Sequence, residues 1–332
     1  MSRRIAVAGL VVCALMLGAA PALHGQGLTT LRVGLLPLQS WAPIFIALEE
    51  GYFQRQGIRI EFQQFASAAE SIPVLIDGKL DVGAGAVSAA FFNALARGLP
   101  VRVVADKGHE ASGGRTNAIL VRKDLVDSGA VKSIADLRGR RVGINATGSS
   151  QHYILVTALK RAGLKGSDVN VVRLPQPAIG AALEGRGLDA GVLGEPQVTL
   201  ILQRGVVVPL LWYSDVLPAL QIGVIIYGPN LLQRNRPLGV RFMAAYLQGL
   251  RQYAQGKTAR NVAIQVKHTQ LEPEILRKSY WFPMRADGRV DGISLMKMQD
   301  WLFEEGFIDV RVPASQFIDH TFLEDAEVLI GR

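Results

Sequence analysis

Along the chain, the spacing of apolar and polar residues changes period in a repeating order. Residues 31–36 form a short apolar run that suits a buried strand. A loop follows, Pro37-Leu38-Gln39-Ser40-Trp41. Pro43 falls where a first helical turn begins, and Gly51 where a helix stops. After Gly57, residues 58–62 alternate apolar and polar, as a strand does. Strand, loop, helix, strand is the unit of a parallel sheet with helices on its faces. The loop at residues 37–41 lies at the carboxyl end of the first strand, where open α/β sheets bind ligands. Trp41 reads equally well there as a pocket wall or as a packing residue.

The same alternation continues. Ser67-Ala-Ala-Glu70 predicts a capping box for a helix that Gly78 closes. Residues 80–84 and 101–105 read as strands, with Ser88 capping a helix over 89–97. Residues 117–122 read as a strand crossing to a second lobe. That lobe has strands over 141–144, 169–174, 188–194 and 206–211. Its helices cover 151–162 and 178–185, with a third opened by Glu195-Pro196. Residues 220–227 suit a return crossing. The tail from Pro237 is helical and is expected to pack on the first lobe.

An internal repeat supports two lobes built alike. Leu75, Leu80, Asp81 and Gly83 recur as Leu183, Leu188, Asp189 and Gly191 at an offset of 108. Val33, Gly34 and Ser40 recur as Val142, Gly143 and Ser149 at an offset of 109. The expected division is 30–117 with 222–332 as the first lobe, and 118–221 as the second.

Residues 1–22 read as a secretory leader, with Arg3 and Arg4, an apolar centre over 5–17, and small residues Ala20-Pro21-Ala22 at the cleavage spacing. The single cysteine, Cys13, falls inside it, so the exported chain offers no disulfide and no thiolate for catalysis or metal binding. The chain's net charge is +8, of which Arg3 and Arg4 contribute two. The remaining excess is scattered among acids with no basic run of five, which argues against nucleic acid as a partner.

The candidate chemistry lies in four loops at strand–helix junctions, near Gln39–Trp41, 85–88, 147–150 and 194–196. If the lobes face each other, helix N-termini and hydroxyls from both sides point into one cleft. Free N–H groups there hold an anion. Ser88 and Ser149 read equally as plain caps, and Thr147-Gly148-Ser149-Ser150 is richer in hydroxyls than a single cap needs. Arg115 and Asn117 stand at the first crossing. Glu195 reads as a helix-dipole acid or as an acceptor for a ligand amine or hydroxyl. His109, His152, His268 and His320 match no metal-ligand spacing, and no nucleophile motif or P-loop is present. Neither a metal nor a cofactor is expected.

Taken together, several blocks resemble one family. They are APIFIALEEGYFQRQGIRIEF, DGKLDVGAGAVSAAFFNALARGLPVRVVA, SIADLRGRRVGINATGSSQHYILVTALKRAGL and LDAGVLGEP, followed by Trp301-Leu302 and Gly306-Phe307-Ile308 near the end. The chain resembles the periplasmic solute-binding proteins of ABC importers for aliphatic sulfonates, taurine and nitrate, a family that also includes binders of thiamine-pyrimidine precursors. The resemblance implies an α/β, two-lobed periplasmic-binding-protein fold of the second type, with two crossing strands between the lobes. It implies a small-molecule ligand, an inner-membrane ABC permease as partner, a periplasmic location, a monomer, and no enzymatic activity. By position, it places Ser40, Trp41, Val87, Ser88, Thr147, Ser149, Ser150 and Glu195 in the pocket. The chain departs from many members at Gly194, where an aromatic residue often precedes the acid–proline pair. The alternatives are a thiamine-pyrimidine-type heterocycle as ligand, stacked on Trp41 and held by Glu195, and an enzyme on the same fold.

Overall fold

The computed structural model describes residues 27–331 except Pro37; the expected leader, residues 1–22, lies outside the described residues. In chain order the strands are β1 (Thr29–Leu35), β2 (Ile58–Gln64), β3 (Val82–Gly85), β4 (Arg102–His109) and β5 (Asn117–Arg122). They continue with β6 (Arg141–Ile144), β7 (Asn170–Arg173), β8 (Ala190–Gly194), β9 (Val207–Trp212) and β10 (Gln221–Tyr227). They form two five-stranded sheets, ordered β2-β1-β3-β10-β4 and β7-β6-β8-β5-β9. In each sheet three parallel strands meet one antiparallel strand that comes from a crossing: β10 in the first lobe and β5 in the second.

The repeated letters occupy matching places. Val33 pairs with Val82 between β1 and β3, and Val142 pairs with Ala190 between β6 and β8. Asp81 accepts the backbone N–H of Arg32 at 2.7 Å, and Asp189 accepts that of Arg141 at 2.9 Å. Each aspartate thereby satisfies a backbone donor of the strand at the centre of the parallel trio, β1 or β6. Leu80 lies against Gly34 and Leu188 against Gly143. A Cβ at Gly143 would come within 2.6 Å of Leu188 Cδ1, so the glycine lets the neighbouring leucine cover the strand.

The tail adds to the first lobe. Helix Arg236–Tyr253 buries Phe242, Met243, Tyr246 and Leu247 in one core with Trp41, Ile44 and Phe45. Helix Gly292–Glu304 reaches the second lobe as well. Trp301 packs on Tyr153 and His152 of helix Ser150–Arg161, and Lys160 pairs with Glu305 at 2.7 Å. A single apolar cluster therefore runs from Phe91 and Phe92 through Ile119 and Val142 to Trp301.

Two local expectations are corrected. Ser67 makes no cap bond at helix Ala68–Ile76; only Glu70 reaches back, accepting from the N–H of Ala66 at 3.1 Å. Strand β4 does not stop at Ala105 but continues to His109. The polar run Asp106-Lys107-Gly108-His109 stays extended because Asp106 is buried and saturated. Its carboxylate accepts from Gly108 N, Gln221 Nε2 and Arg285 N, each at 2.7 Å.

Candidate ligand-binding site

Between the sheets lies a cavity with about 650 Å³ of empty space, its open mouth included. The first lobe lines it with Ser40, Ser67, Val87, Ser88 and Lys107, and with apolar Leu36, Ile222 and Phe282. Asn117 lines it from the first crossing, and the second lobe contributes Asn145, Ser149, Ser150, Gln151 and Gln176. The lobes touch beside it. Ala89 N–H donates to the carbonyl of Gly148 at 3.1 Å, and Tyr280 N–H donates to Glu195 Oε1 at 2.9 Å.

Lys107 is the only cation among the described residues lining this cavity. It is 1% exposed. Its Nζ donates to Ser40 Oγ at 2.9 Å and lies 4.9 Å from the centre of the Trp41 ring. Among the described residues no carboxylate comes within 4 Å of it. The adjacent Asp106 is committed to backbone and amide donors, as given above. Burial pushes the Lys107 ammonium down to about 7, with Asp106 opposing. A buried ammonium with one hydroxyl partner and spare donors is a site that gains from an anion. Gly223 lets β10 approach this strand closely: a Cβ there would sit 2.7 Å from the Lys107 carbonyl oxygen.

The second lobe offers neutral donors. Gln151 Oε1 accepts from Asn145 N–H at 2.8 Å, and Gln176 Oε1 accepts from Gly194 N–H at 2.9 Å. With both oxygens engaged by backbone, the two carboxamides have their NH₂ groups left for a ligand. Ser88 and Ser149 cap their helices, accepting from Phe91 N and His152 N at 3.4 and 3.3 Å. The same two residues also line the cavity.

The model of the NMT1/THI5-like family matches residues 39–257, well over half of the chain. The chain belongs to the NMT1/THI5-like family. It is 22% identical over 228 residues to a Brucella abortus (strain 2308) chain named only as a binding protein, covering 68% of this chain and 67% of that one. It is 27% identical over 166 residues to the taurine-binding periplasmic protein of Escherichia coli K12, covering 49% and 48%. Among solved structures, it resembles the alkanesulfonate-binding protein of Xanthomonas axonopodis pv. citri bound to MOPS. The TM-score is 0.73 with 18% identity, over 88% of this chain and 99% of that one. These likenesses establish a two-lobed α/β fold with two crossing strands, shared with periplasmic binding proteins.

Within this NMT1/THI5-like cavity, Ser40, Val87, Ser88, Asn117, Ser149 and Ser150 stand where the sequence places them. Five other candidates do not line it. Trp41 is 0% exposed, edge-on to Phe62 in the core of the first lobe, and supports Lys107 from behind. Gln39 is buried against Ser279 at 2.8 Å. Thr147 is exposed, because its loop turns at Gly148 with φ of 64°. Arg115 is exposed and lies over Trp212 at 5.7 Å. Glu195 is buried between the lobes, accepting from Thr199 Oγ1 at 2.8 Å as well as from Tyr280 N–H. Burial pushes its carboxyl up, partly offset by those donors. A heterocycle stacked on Trp41 and held by Glu195 thus has neither residue in the cavity.

Lys107, Ser67, Asn145, Gln151 and Gln176 were not among the candidates. Lys107 follows a strand whose apolar run ends at Ala105, and Ser67 reads as part of a capping box. The glutamines carry no distinguishing pattern in the sequence.

Proposed function

We propose that the chain is the extracytoplasmic binding component of an ABC importer, capturing a small organic anion between its lobes. It is exported by residues 1–22, works as a periplasmic monomer, and delivers its ligand to an inner-membrane permease. The lobes are 30–117 with 222–332, and 118–221. The observation that carries this reading is Lys107, a buried ammonium with no carboxylate within 4 Å among the described residues, in a cavity between two lobes. The neutral donors of Gln151 and Gln176 and the helix N-termini capped by Ser88 and Ser149 add to it. The taurine-binding relative supports a sulfonate or similar oxyanion as ligand class.

A thermal-shift panel of sulfonates, carboxylates, nitrate and neutral pyrimidines tests this. A ligand at a hundredfold over its Kd stabilises by about 2.7 kcal/mol, a readable shift. Anions are expected to raise the melting temperature. A panel in which only neutral or cationic compounds do so contradicts the reading.

A further inference from the structure

One cavity residue has the opposite polarity to the rest. Asn117 opens β5 at the first crossing between the lobes and is 5% exposed. Its Nδ2 donates to Glu110 Oε1 at 2.7 Å and to Thr116 Oγ1 at 3.1 Å. Thr116 Oγ1 in turn donates to the same Glu110 oxygen at 2.5 Å. Glu110 is itself 1% exposed and fixed by its own N–H to the carbonyl of Leu220 at 2.9 Å. Burial pushes the Glu110 carboxyl up, partly offset by these two donors; because its Oε1 accepts from both, the amide nitrogen of Asn117 faces it and the carbonyl oxygen faces away.

That oxygen lies over Gly194. A Cβ built at 194 would come within 2.5 Å of Asn117 Oδ1, so only glycine leaves the amide this place. Among the described residues Oδ1 accepts no hydrogen bond from the protein, while Asn117 and Gly194 both line the cavity. Oδ1 is open to the cavity, so a ligand that fills the space without donating to it leaves this acceptor unmet. Lys107, Gln151 and Gln176 present donors to the same space, so a ligand made only of acceptors satisfies them and leaves Asn117 unmet.

We propose that Asn117, oriented by Glu110 and given room by Gly194, sets specificity for organic anions that also carry an N–H or O–H donor. This rests on the anion reading above. Asn117 touches the ligand; Glu110 is a positioning residue that acts through it. The recognised class is an oxyanion head against Lys107 with an amino, amido or hydroxyl group elsewhere on the molecule.

The test compares matched ligands by titration calorimetry on the whole exported chain: ethanesulfonate, 2-hydroxyethanesulfonate, 2-aminoethanesulfonate and 3-aminopropanesulfonate, with propionate and β-alanine as a carboxylate pair. In the unmodified protein at least one donor-bearing member is expected to bind about tenfold tighter than its plain partner, as one hydrogen bond to this acceptor gives. Asn117→Leu and Gly194→Ala should each bring that ratio, measured within the same variant, close to one. Glu110→Ala should shrink the ratio, and Glu110→Gln, which can still accept from Nδ2, should restore part of it. Because the ratio in the unmodified protein is itself decisive, a variant that fails to fold does not remove the test. Equal affinity within every pair overturns this inference and leaves the anion reading standing. Binding of none of these anions overturns both. A ratio that survives Asn117→Leu in folded protein assigns the preference to another residue and overturns the role of Asn117.

Discussion

The two lobes share one plan and divide the chemistry. Strand order, the aspartate that fixes the central strand, and the glycine under its neighbouring leucine are the same in both. What faces the cavity is not. The first lobe brings the cation, Lys107, from a strand extended past its apolar part. The second brings Gln151 and Gln176, whose oxygens the backbone has already engaged. Parallel α/β packing constrains the strand interiors, where a wrong side chain collides with a helix. It leaves strand ends and loops free to differ, and those form the cavity wall. Of the duplicated residues only Ser40 and Ser149 reach the cavity; its cation and carboxamides come from positions without a counterpart.

The largest expected effect breaks the charge asymmetry. Lys107→Met should weaken anion binding about a hundredfold or more, because it removes a desolvated charged donor. Gln151→Leu, on the neutral side, should cost about tenfold or less. Without ligand, Lys107→Met should be no less stable than the parent near pH 7, since a buried charge without a partner is removed. The pH dependence has a definite sign. The folded-state pKa of Lys107 is depressed to about 7 from 10.5. Between those values the unfolded chain binds the extra proton. The ligand-free parent therefore gains stability relative to Lys107→Met as pH rises through that window. Anion affinity falls over the same rise, because the bound state needs the ammonium. Chemical denaturation and calorimetry at pH 6, 7.5 and 9 read both trends; a parallel rise would contradict them.

The next effect separates the lobes by their outer layers. A Cβ at Gly249 would collide with the Pro43 carbonyl oxygen, where helix Arg236–Tyr253 crosses helix Ala42–Glu49. Gly249→Ala should cost about 1–3 kcal/mol in urea unfolding. The second lobe has no counterpart to this helix pair among the described residues. A neutral result would mean that the tail packs more loosely than described.

A smaller pair of effects tests the shared plan. Asp81→Ala and Asp189→Ala each leave a strand N–H without its acceptor, and each should lose about 1–2 kcal/mol. Similar losses support equivalence of the two sites. A large loss at one site and none at the other would make the sequence repeat a coincidence of letters.

The smallest expected effect concerns closure. Glu195→Gln weakens the bond from Tyr280 N–H across the lobes, so the closed form loses about 1 kcal/mol and affinity falls roughly fivefold. Small-angle scattering should show the parent contracting on ligand addition and the variant contracting only at higher ligand concentration. Identical titration curves would remove Glu195 from the closing contacts.

Much of the scaffold was legible because its signals are local. Gly51 stops helix Ala42–Glu49, and β5, β6 and β10 follow apolar runs. The site was legible where capping and lining coincide, as at Ser88 and Ser149. It was not legible where a side chain's role depends on distant partners. Asp106 keeps β4 extended through bonds to residues 221 and 285, and that continuation delivers Lys107. Trp41 and Glu195 looked like pocket residues because their loops are at the right end of the sheet. The tail that covers them, with Tyr280 on Glu195, is far away in sequence.

The central claim is that Lys107 is the cation that meets the ligand's anionic group. Its most direct test is NMR titration of the lysine side-chain Cε and Hε resonances, with Lys107 assigned by loss of its signal in Lys107→Met. The account predicts one lysine titrating near pH 7 without ligand and shifting to higher pH when the best anion from the thermal panel is bound. A Lys107 that titrates near 10.5 in the empty protein, or whose midpoint does not move on binding, would contradict it.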